Sequence, residues 1–241
     1  MPDQKIVLIT GGNGGIGYAT AEALARDPSF HVIIGSRSLQ KGQEALSKLS
    51  EQKGSVTLVQ LDVTDPESVA SAVTTVERDY GRLEVLVNNA AIGVAGPSMS
   101  AETLRYVFET NVFGVGRMTE AFLPLLRKSS NPRIVHVTSG LGSLTLKASG
   151  ELSAPYNAYT VSKAALNMMA LCHMEQFGDE IKVLVLTPGF VATNLGGDPE
   201  GWRKQGAEDP ANSGKFIKTV IEGHRDSDRK NMLKEGGTFP W

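Results

Sequence analysis

Apolar residues fall into short unbroken blocks along this chain, and between the blocks they thin to a helical spacing. The blocks are residues 5–10 (KIVLIT), 31–36 (HVIIGS), 55–63 (SVTLVQLDV), 83–91 (LEVLVNNAA), 133–139 (RIVHVTS) and 182–188 (KVLVLTP). Their length and β-branched content predict strands. They are apolar throughout rather than alternating, so they are expected to be covered on both faces. In between, Ile16, Ala19, Ala23 and Leu24 share one helical face, and residues 38–53 carry Leu39, Ala45, Leu46 and Leu49 as an apolar stripe. Asp65 and Pro66 read as the N-cap and first position of a helix that Gly81 follows. Residues 101–127 and 155–178 are helical in pattern. Asp209-Pro210 opens another helix with Phe216, Ile217, Val220 and Ile221 on one face. A weak last strand is expected near Met232–Leu233, and residues 190–207 have no clear period. Repeated β-α-β units with right-handed crossovers give an α/β fold, a doubly wound parallel sheet of about seven strands in one domain over residues 1–241.

Composition narrows the function classes. Lys and Arg (24) balance Asp and Glu (26) and are interleaved, which argues against a nucleic-acid surface. Cys172 is the single cysteine, so no intrachain disulfide or CxxC pair exists, as suits a reducing compartment. The four histidines lack ligand spacing, and no metal is expected. The opening MPDQK runs straight into the first block, which is too short for a signal peptide or a membrane span. The expectation is a soluble cytoplasmic protein with no membrane or nucleic-acid partner.

The first block runs into TGGNGGIG, with five glycines in the seven positions 11–17, directly before a helix. Such a loop is either an ordinary turn or a dinucleotide cradle. In the cradle, glycines let backbone approach a pyrophosphate at a helix N-terminus. It lacks the Gly-Lys-Ser/Thr of a triphosphate-binding loop. Twenty residues past Gly17 stands Arg37, after Ser36. A carboxylate there would select NAD, whereas a guanidinium suits the 2′-phosphate of NADP. The expected cofactor is NADP(H).

Tyr159 and Lys163 lie i,i+4 on a predicted helix, with Cβ atoms about 5–6 Å apart. A phenol titrates near 10, and a neighbouring ammonium should lower that value and make Tyr159 a usable proton donor. Tyr156 has Thr160 four residues on and is the weaker candidate. Ser139 ends the fifth block, where its hydroxyl can bond a ligand carbonyl. Val137 two residues earlier excludes a hydrolase elbow. The amides of Asn88-Asn89 can brace the loops after the fourth block. Asn111 sits in a helical stretch, where Asn is not favoured, and a buried polar role follows.

Taken together these residues resemble the short-chain dehydrogenase/reductase family over nearly the whole chain, with a Rossmann-like fold. The resemblance rests on Thr10-Gly11-x-x-x-Gly15-x-Gly17, Asp62, Asn88-Asn89-Ala90, Asn111, Ser139, Tyr159-x-x-x-Lys163 and Pro188-Gly189 with Thr193. It implies that Tyr159 donates the proton, Lys163 lowers its pKa and holds the nicotinamide ribose, and Ser139 orients the carbonyl. Asn111 would hold a relay water. Gly11, Asn13, Gly15, Ile16 and Gly17 would meet the pyrophosphate and Ser36 and Arg37 the 2′-phosphate. Asp62 and Val63 would meet the adenine, Asn89 and Ala90 its ribose, and Val191 and Thr193 the nicotinamide amide and the pyrophosphate, with Pro188 beside them.

Three departures stand out. Ala91 replaces the family's usual Gly. Ser139 and Tyr159 are 20 positions apart, several more than usual, and the insert (LTLKASGELSAP) is expected at the substrate mouth. The ending GGTFPW is similar to the carbonyl-reductase branch, some members of which are monomeric, so monomer and homodimer both stay open. Residues 190–207, with Trp202, fall where the family carries a substrate lid. Leu141, Leu144, Tyr156, Phe190 and Trp202 point to an uncharged aldehyde or ketone reduced to an alcohol. A non-catalytic NADP(H)-binding regulator and a dehydratase or epimerase with the same site are the alternatives.

Overall fold

Each apolar block becomes a strand that feeds two cores at once. The computed structural model describes residues 4–50 and 54–241. Its strands are β1 (Lys5–Thr10), β2 (Phe30–Ser36), β3 (Ser55–Gln60), β4 (Val85–Asn88), β5 (Arg133–Val137), β6 (Lys182–Leu186), β7 (Met232–Lys234) and β8 (Gly237–Phe239). They form one sheet in the order β3-β2-β1-β4-β5-β6-β7-β8. Val7 and Ile9 of β1 enter a cluster with Leu24, Leu49 and Val220. Their neighbours Ile6 and Leu8 enter another with Val76, Phe122 and Phe177. The first cluster is covered by α1 (Gly15–Ala25), α2 (Leu39–Leu49) and α9 (Pro210–Glu222). The second is covered by α3 (Pro66–Tyr80), α5 (Gly114–Leu126) and α7 (Asn157–Phe177). That two-sided burial is why the blocks do not alternate.

Pairing is parallel from β3 across to β7, and β8 returns antiparallel to β7. β1 pairs with β2 on one side and β4 on the other, so the strand order reverses there and a crevice opens at the carboxyl ends. The caps follow the sequence. Asp65 and Asp209 accept backbone N–H groups of Glu67 and Ala211, and Gly81 ends α3 at φ 73°.

Four features differ from the sequence reading. The sheet has eight strands, because β8 makes a three-residue hairpin strand in a glycine-containing tail too short to show a period. The helical stretch 101–127 is divided into α4 (Ala101–Phe108), a π-turn at Glu109–Phe113, and α5. The insert folds into a 3₁₀ turn (Gly140–Gly142) and α6 (Leu144–Ser149). The aperiodic segment contains α8 (Pro199–Lys204), capped by Asp198. The expected helical tail at 51–53 and the first residues of MPDQK lie outside the described residues. Among the described residues no helix is long and apolar enough to cross a membrane, and no cluster of three or more His, Cys, Asp or Glu could hold a metal.

One buried chain makes stability depend on pH. Asn88 Nδ2 lies 3.3 Å from His136 Nδ1, and His136 Nε2 lies 3.2 Å from His173 Nδ1. A neutral His136 can accept from Asn88 and donate to His173. Burial first, then the charges of His173 and Lys163, push His136 down to about 3. Burial also lowers His31 and His173. An unfolded histidine titrates near 6.5, so below that pH the unfolded chain binds protons that the folded chain refuses. Stability should therefore fall as pH drops from 6.5 toward 3, by about 1.4 kcal/mol per unit for His136, with His31 and His173 acting in the same direction. Denaturant unfolding at a series of pH values reads this slope, and His136→Gln should flatten it. A flat wild-type profile would remove the argument.

Candidate active site

The glycine loop is shaped by backbone contact. Gly15 lies at φ 53°, a left-handed conformation that glycine adopts without strain. A Cβ at Gly17 would stand 2.5 Å from the Gly11 carbonyl oxygen and from Asn89 Nδ2. Helix α1 therefore packs directly on the loop. Its N-cap, Gly14, offers no side-chain cap, and the first turn holds no acidic residue. The first N–H groups of α1 are left for an anion.

The strand ends are tied together around this loop. Thr10 Oγ1 accepts the N–H groups of Asn89 and Ala90, each at 2.9 Å. Asn89 Nδ2 donates back to the Thr10 carbonyl at 2.8 Å. The bracing expected of Asn88-Asn89 is divided: Asn89 ties β4 to β1, while Asn88 turns inward to Thr119 and His136. Asp62, just past β3, accepts from the N–H and hydroxyl of Thr64. Burial raises its pKa, but those bonds and the charges of Arg37 and Arg117 outweigh it and hold the carboxyl below its usual range.

A second knot sits after β5. Thr187 Oγ1 accepts from Gly140 N–H at 2.9 Å, and Ser139 Oγ accepts from Leu141 N–H at 3.2 Å. A Cβ at Gly142 would meet the Lys163 backbone at 2.7 Å, so this turn lies flat on α7. Asn167 of α7 binds the turn from below, accepting from Thr138 and donating to the Gly142 carbonyl. The Ser139 turn and the Tyr159 helix are thereby locked together. Gly142 and the Asn167 side chain were not singled out in the sequence, although TSGLGS carried a Gly-x-Gly signal.

Tyr159 is buried at 7 % exposure and Lys163 at 2 %. Lys163 Nζ donates to the Val137 carbonyl at 2.9 Å and lies 5.5 Å from the Tyr159 ring centre. The expectation that Lys163 lowers the Tyr159 pKa is corrected here. Burial pushes Tyr159 up to about 12, with only its hydrogen bond to Ser139 pulling down, and burial pushes Lys163 itself down to about 7. The reason is desolvation, which penalises both charged forms in the same dry wall.

Asn111 is fully buried in the π-turn. Its Oδ1 accepts from Ile92 N–H, and its Nδ2 donates to the Ile92 carbonyl and to Ser162 Oγ, all at 2.9 Å. Ser162 in turn donates to the Tyr159 carbonyl. The buried polar role foreseen for Asn111 is this brace between the β4 loop and α7.

One cleft of about 1710 Å³ runs along these strand ends. Gly11, Asn13, Gly15, Ile16, Ser36, Arg37, Asp62, Val63, Asn89 and Ala90 line it toward one end. Ser139, Tyr159, Lys163, Pro188, Val191 and Thr193 line it further along. Gly17 and Asn111 stand behind the wall and shape it. Leu141, Tyr156, Phe190 and Trp202 line the cleft as expected, but Leu144 does not: it is 67 % exposed at the start of α6 and faces away. Several lining residues were missed in the sequence reading. Lys41 and Lys48 join Arg37 from α2, one and nearly three turns in, and Phe239 enters from β8.

A glycine cradle on a doubly wound sheet, with Ser139 just after β5 and Tyr159 and Lys163 on α7, is the arrangement of an oxidoreductase that uses a nucleotide cofactor. A family model for short chain dehydrogenases matches residues 5–203, and the chain belongs to the short-chain dehydrogenase/reductase family. It is 35% identical to the short-chain dehydrogenase/reductase tropE of Talaromyces stipitatus, over 100% of this chain and 99% of that one. It is 40% identical to the short-chain dehydrogenase anuI of Penicillium roqueforti, over 80% and 81%. Among solved structures, the NADPH-bound carbonyl reductase from chicken fatty liver superposes with a TM-score of 0.87, at 28% identity over 99% of both chains.

Proposed function

We propose that the chain is an NADPH-dependent reductase of uncharged aldehydes or ketones, reversible as an alcohol dehydrogenase. The observation that carries this reading is one cleft with Arg37 toward one end and Ser139, Tyr159 and Lys163 further along. The cradle fits a dinucleotide: the uncapped N-terminus of α1 and the glycine contacts suit a pyrophosphate. Gly11, Asn13, Gly15, Ile16 and Thr193 would hold it. Ser36 and Arg37 would take the 2′-phosphate, Asp62 and Val63 the adenine, and Asn89 and Ala90 its ribose. Pro188, Val191 and Lys163 would hold the nicotinamide end. A structural relative of known ligand, the chicken carbonyl reductase, was solved with NADPH bound.

The bound cofactor supplies a hydride to the carbonyl carbon. The protein supplies the rest. Ser139 donates a hydrogen bond to the carbonyl oxygen and polarises it. Tyr159 gives that oxygen its proton, which completes the alcohol and leaves a phenolate to be reprotonated. A phenol held near 12 stays protonated at neutral pH, the form that can give its proton to the carbonyl oxygen. Lys163, with Val137 as its anchor, stands ready to stabilise the phenolate. Both amide hydrogens of Asn111 are committed, so a relay water would be bound through oxygen.

Residues 190–207 would act as the substrate lid. Their base is fastened by Glu208, whose N–H donates to the Phe190 carbonyl and whose carbonyl accepts from Ala192 N–H. Gly196 and Gly197, at φ 87° and 89°, lie within the arch. Closure over the mouth would keep water from the transfer.

The test is NADPH oxidation against a panel of uncharged aldehydes, ketones and quinones, with product analysis. Net alcohol formation from at least one carbonyl is expected. Tight NADPH binding with no reduction across the panel would favour a regulator instead, and an eliminated or epimerised product would favour a lyase or epimerase.

A further inference from the structure

The two ends of the cleft differ in charge. Arg37, Lys41, Glu44, Lys48 and Asp62 crowd the nucleotide end. Beyond Tyr159, the described lining residues offer no charged side chain except Lys163, which is buried. Aromatic side chains line the mouth, beside Leu141, Leu152 and Leu195 and the amides of Asn194 and Gln205. Trp202 meets Tyr156 at 6.4 Å and 59° between ring centres and planes, and Phe190 at 5.9 Å and 74°. These are tilted and edge-on contacts, which pack the three rings by their edges.

Phe239 adds a fourth ring from an unexpected place, the end of the chain. Its Cζ lies 2.8 Å from where a Cβ of Gly140 would be, so the ring sits directly on the residue after Ser139. Leu152 of the insert closes on the same spot. The hairpin that delivers Phe239 is held from both sides. Arg225 donates to the carbonyls of Lys234 and Gly237 across the β7–β8 turn. The Trp241 carbonyl accepts from Thr145 N–H at 2.8 Å and from the Ser143 hydroxyl at 3.2 Å. The tail and the insert therefore build one wall together.

We propose that this mouth is a slot for a flat ring, with Phe239 as a specificity-determining wall, and that the substrate is an uncharged ketone carried on an aromatic ring. Calling the ligand a substrate rests on the reductase reading above. The chemistry is that of ring on ring: aromatic faces and edges reward another flat quadrupole more than a puckered ring or a chain of equal area.

The probes are 2-acetylnaphthalene and its saturated counterpart, 2-acetyldecalin, compared by kcat/KM with NADPH and by calorimetric binding. The ratio of the two efficiencies should fall by about 2–10-fold in Phe239→Leu, mainly through KM. Phe239→Tyr should restore it. Gly140→Ala, which removes the seat of the ring, should move the ratio in the same direction. Unfolding midpoints of the variants exclude a general loss of structure. Reduction of both ketones with a ratio unmoved by Phe239→Leu would overturn the slot and leave the reductase intact. Binding of acetylnaphthalene that depends on Phe239, with no turnover, would overturn the reductase reading and keep the slot.

Discussion

Tyr159→Phe is expected to lower kcat by about 10²–10⁴-fold, the range contributed by a positioned proton donor. The substitution removes one hydroxyl and keeps the ring, which is 7 % exposed and has Lys163 Nζ 5.5 Å from its centre. Fold and NADPH affinity should survive. Steady-state turnover with any carbonyl from the panel reads the first effect, and fluorescence titration with NADPH reads the second. Tyr156→Phe is the matched control. Tyr156 lines the cleft and packs on Trp202, but no lysine stands four residues on, so its variant should keep most of kcat. Normal kcat in Tyr159→Phe, or an equal loss in both variants, would end the proton-donor assignment.

The sheet and its ligand edge were legible because burial on both faces leaves a plain mark: six unbroken apolar runs, each matched by a strand. The glycine loop was legible for a similar reason. Glycine is required at Gly17 by a backbone contact that no side chain tolerates, and Arg37 stands at a fixed distance from it. What was missed lies in short or irregular segments. Asp198-Pro199 carries the same cap signature as Asp65-Pro66 and Asp209-Pro210, yet Gly196, Gly197 and Gly201 around it hid a six-residue helix. β8 pairs only three residues, and its place is set by Arg225 and by the far-off insert. No local pattern encodes such a contact.

The Tyr159–Lys163 pair shows a different limit. Spacing correctly put both residues on one helix face, but their electrostatics depend on the wall they are buried in. At i,i+4 in water, the ammonium would favour the phenolate. Inside the protein, loss of hydration penalises the phenolate and the ammonium alike, so the two pKa values move apart, each favouring its own neutral form. The same burial that upsets the expected depression holds Tyr159 in its protonated form.

Arg37→Ala should raise KM for NADPH by about 10–100-fold and leave KM for NADH nearly unchanged. The estimate is that of one charge-assisted bond to a phosphate, about 1.5–3 kcal/mol, for a side chain that is exposed at the cleft edge. Only the 2′-phosphate distinguishes the two cofactors, so a loss confined to NADPH locates that phosphate at Arg37. Lys41 lines the same end, and it sets the size of the effect. If Lys41 shares the phosphate, Arg37→Ala falls at the low end of the range and the double variant with Lys41→Ala exceeds it. If Arg37 acts alone, Lys41→Ala is silent. Rising ionic strength should weaken NADPH binding in the wild type and much less in Arg37→Ala, because an exposed ion pair is screened. Equal increases in KM for both cofactors would mean that Arg37 supports the cleft edge mechanically, and the preference for NADP would lose its basis in this residue.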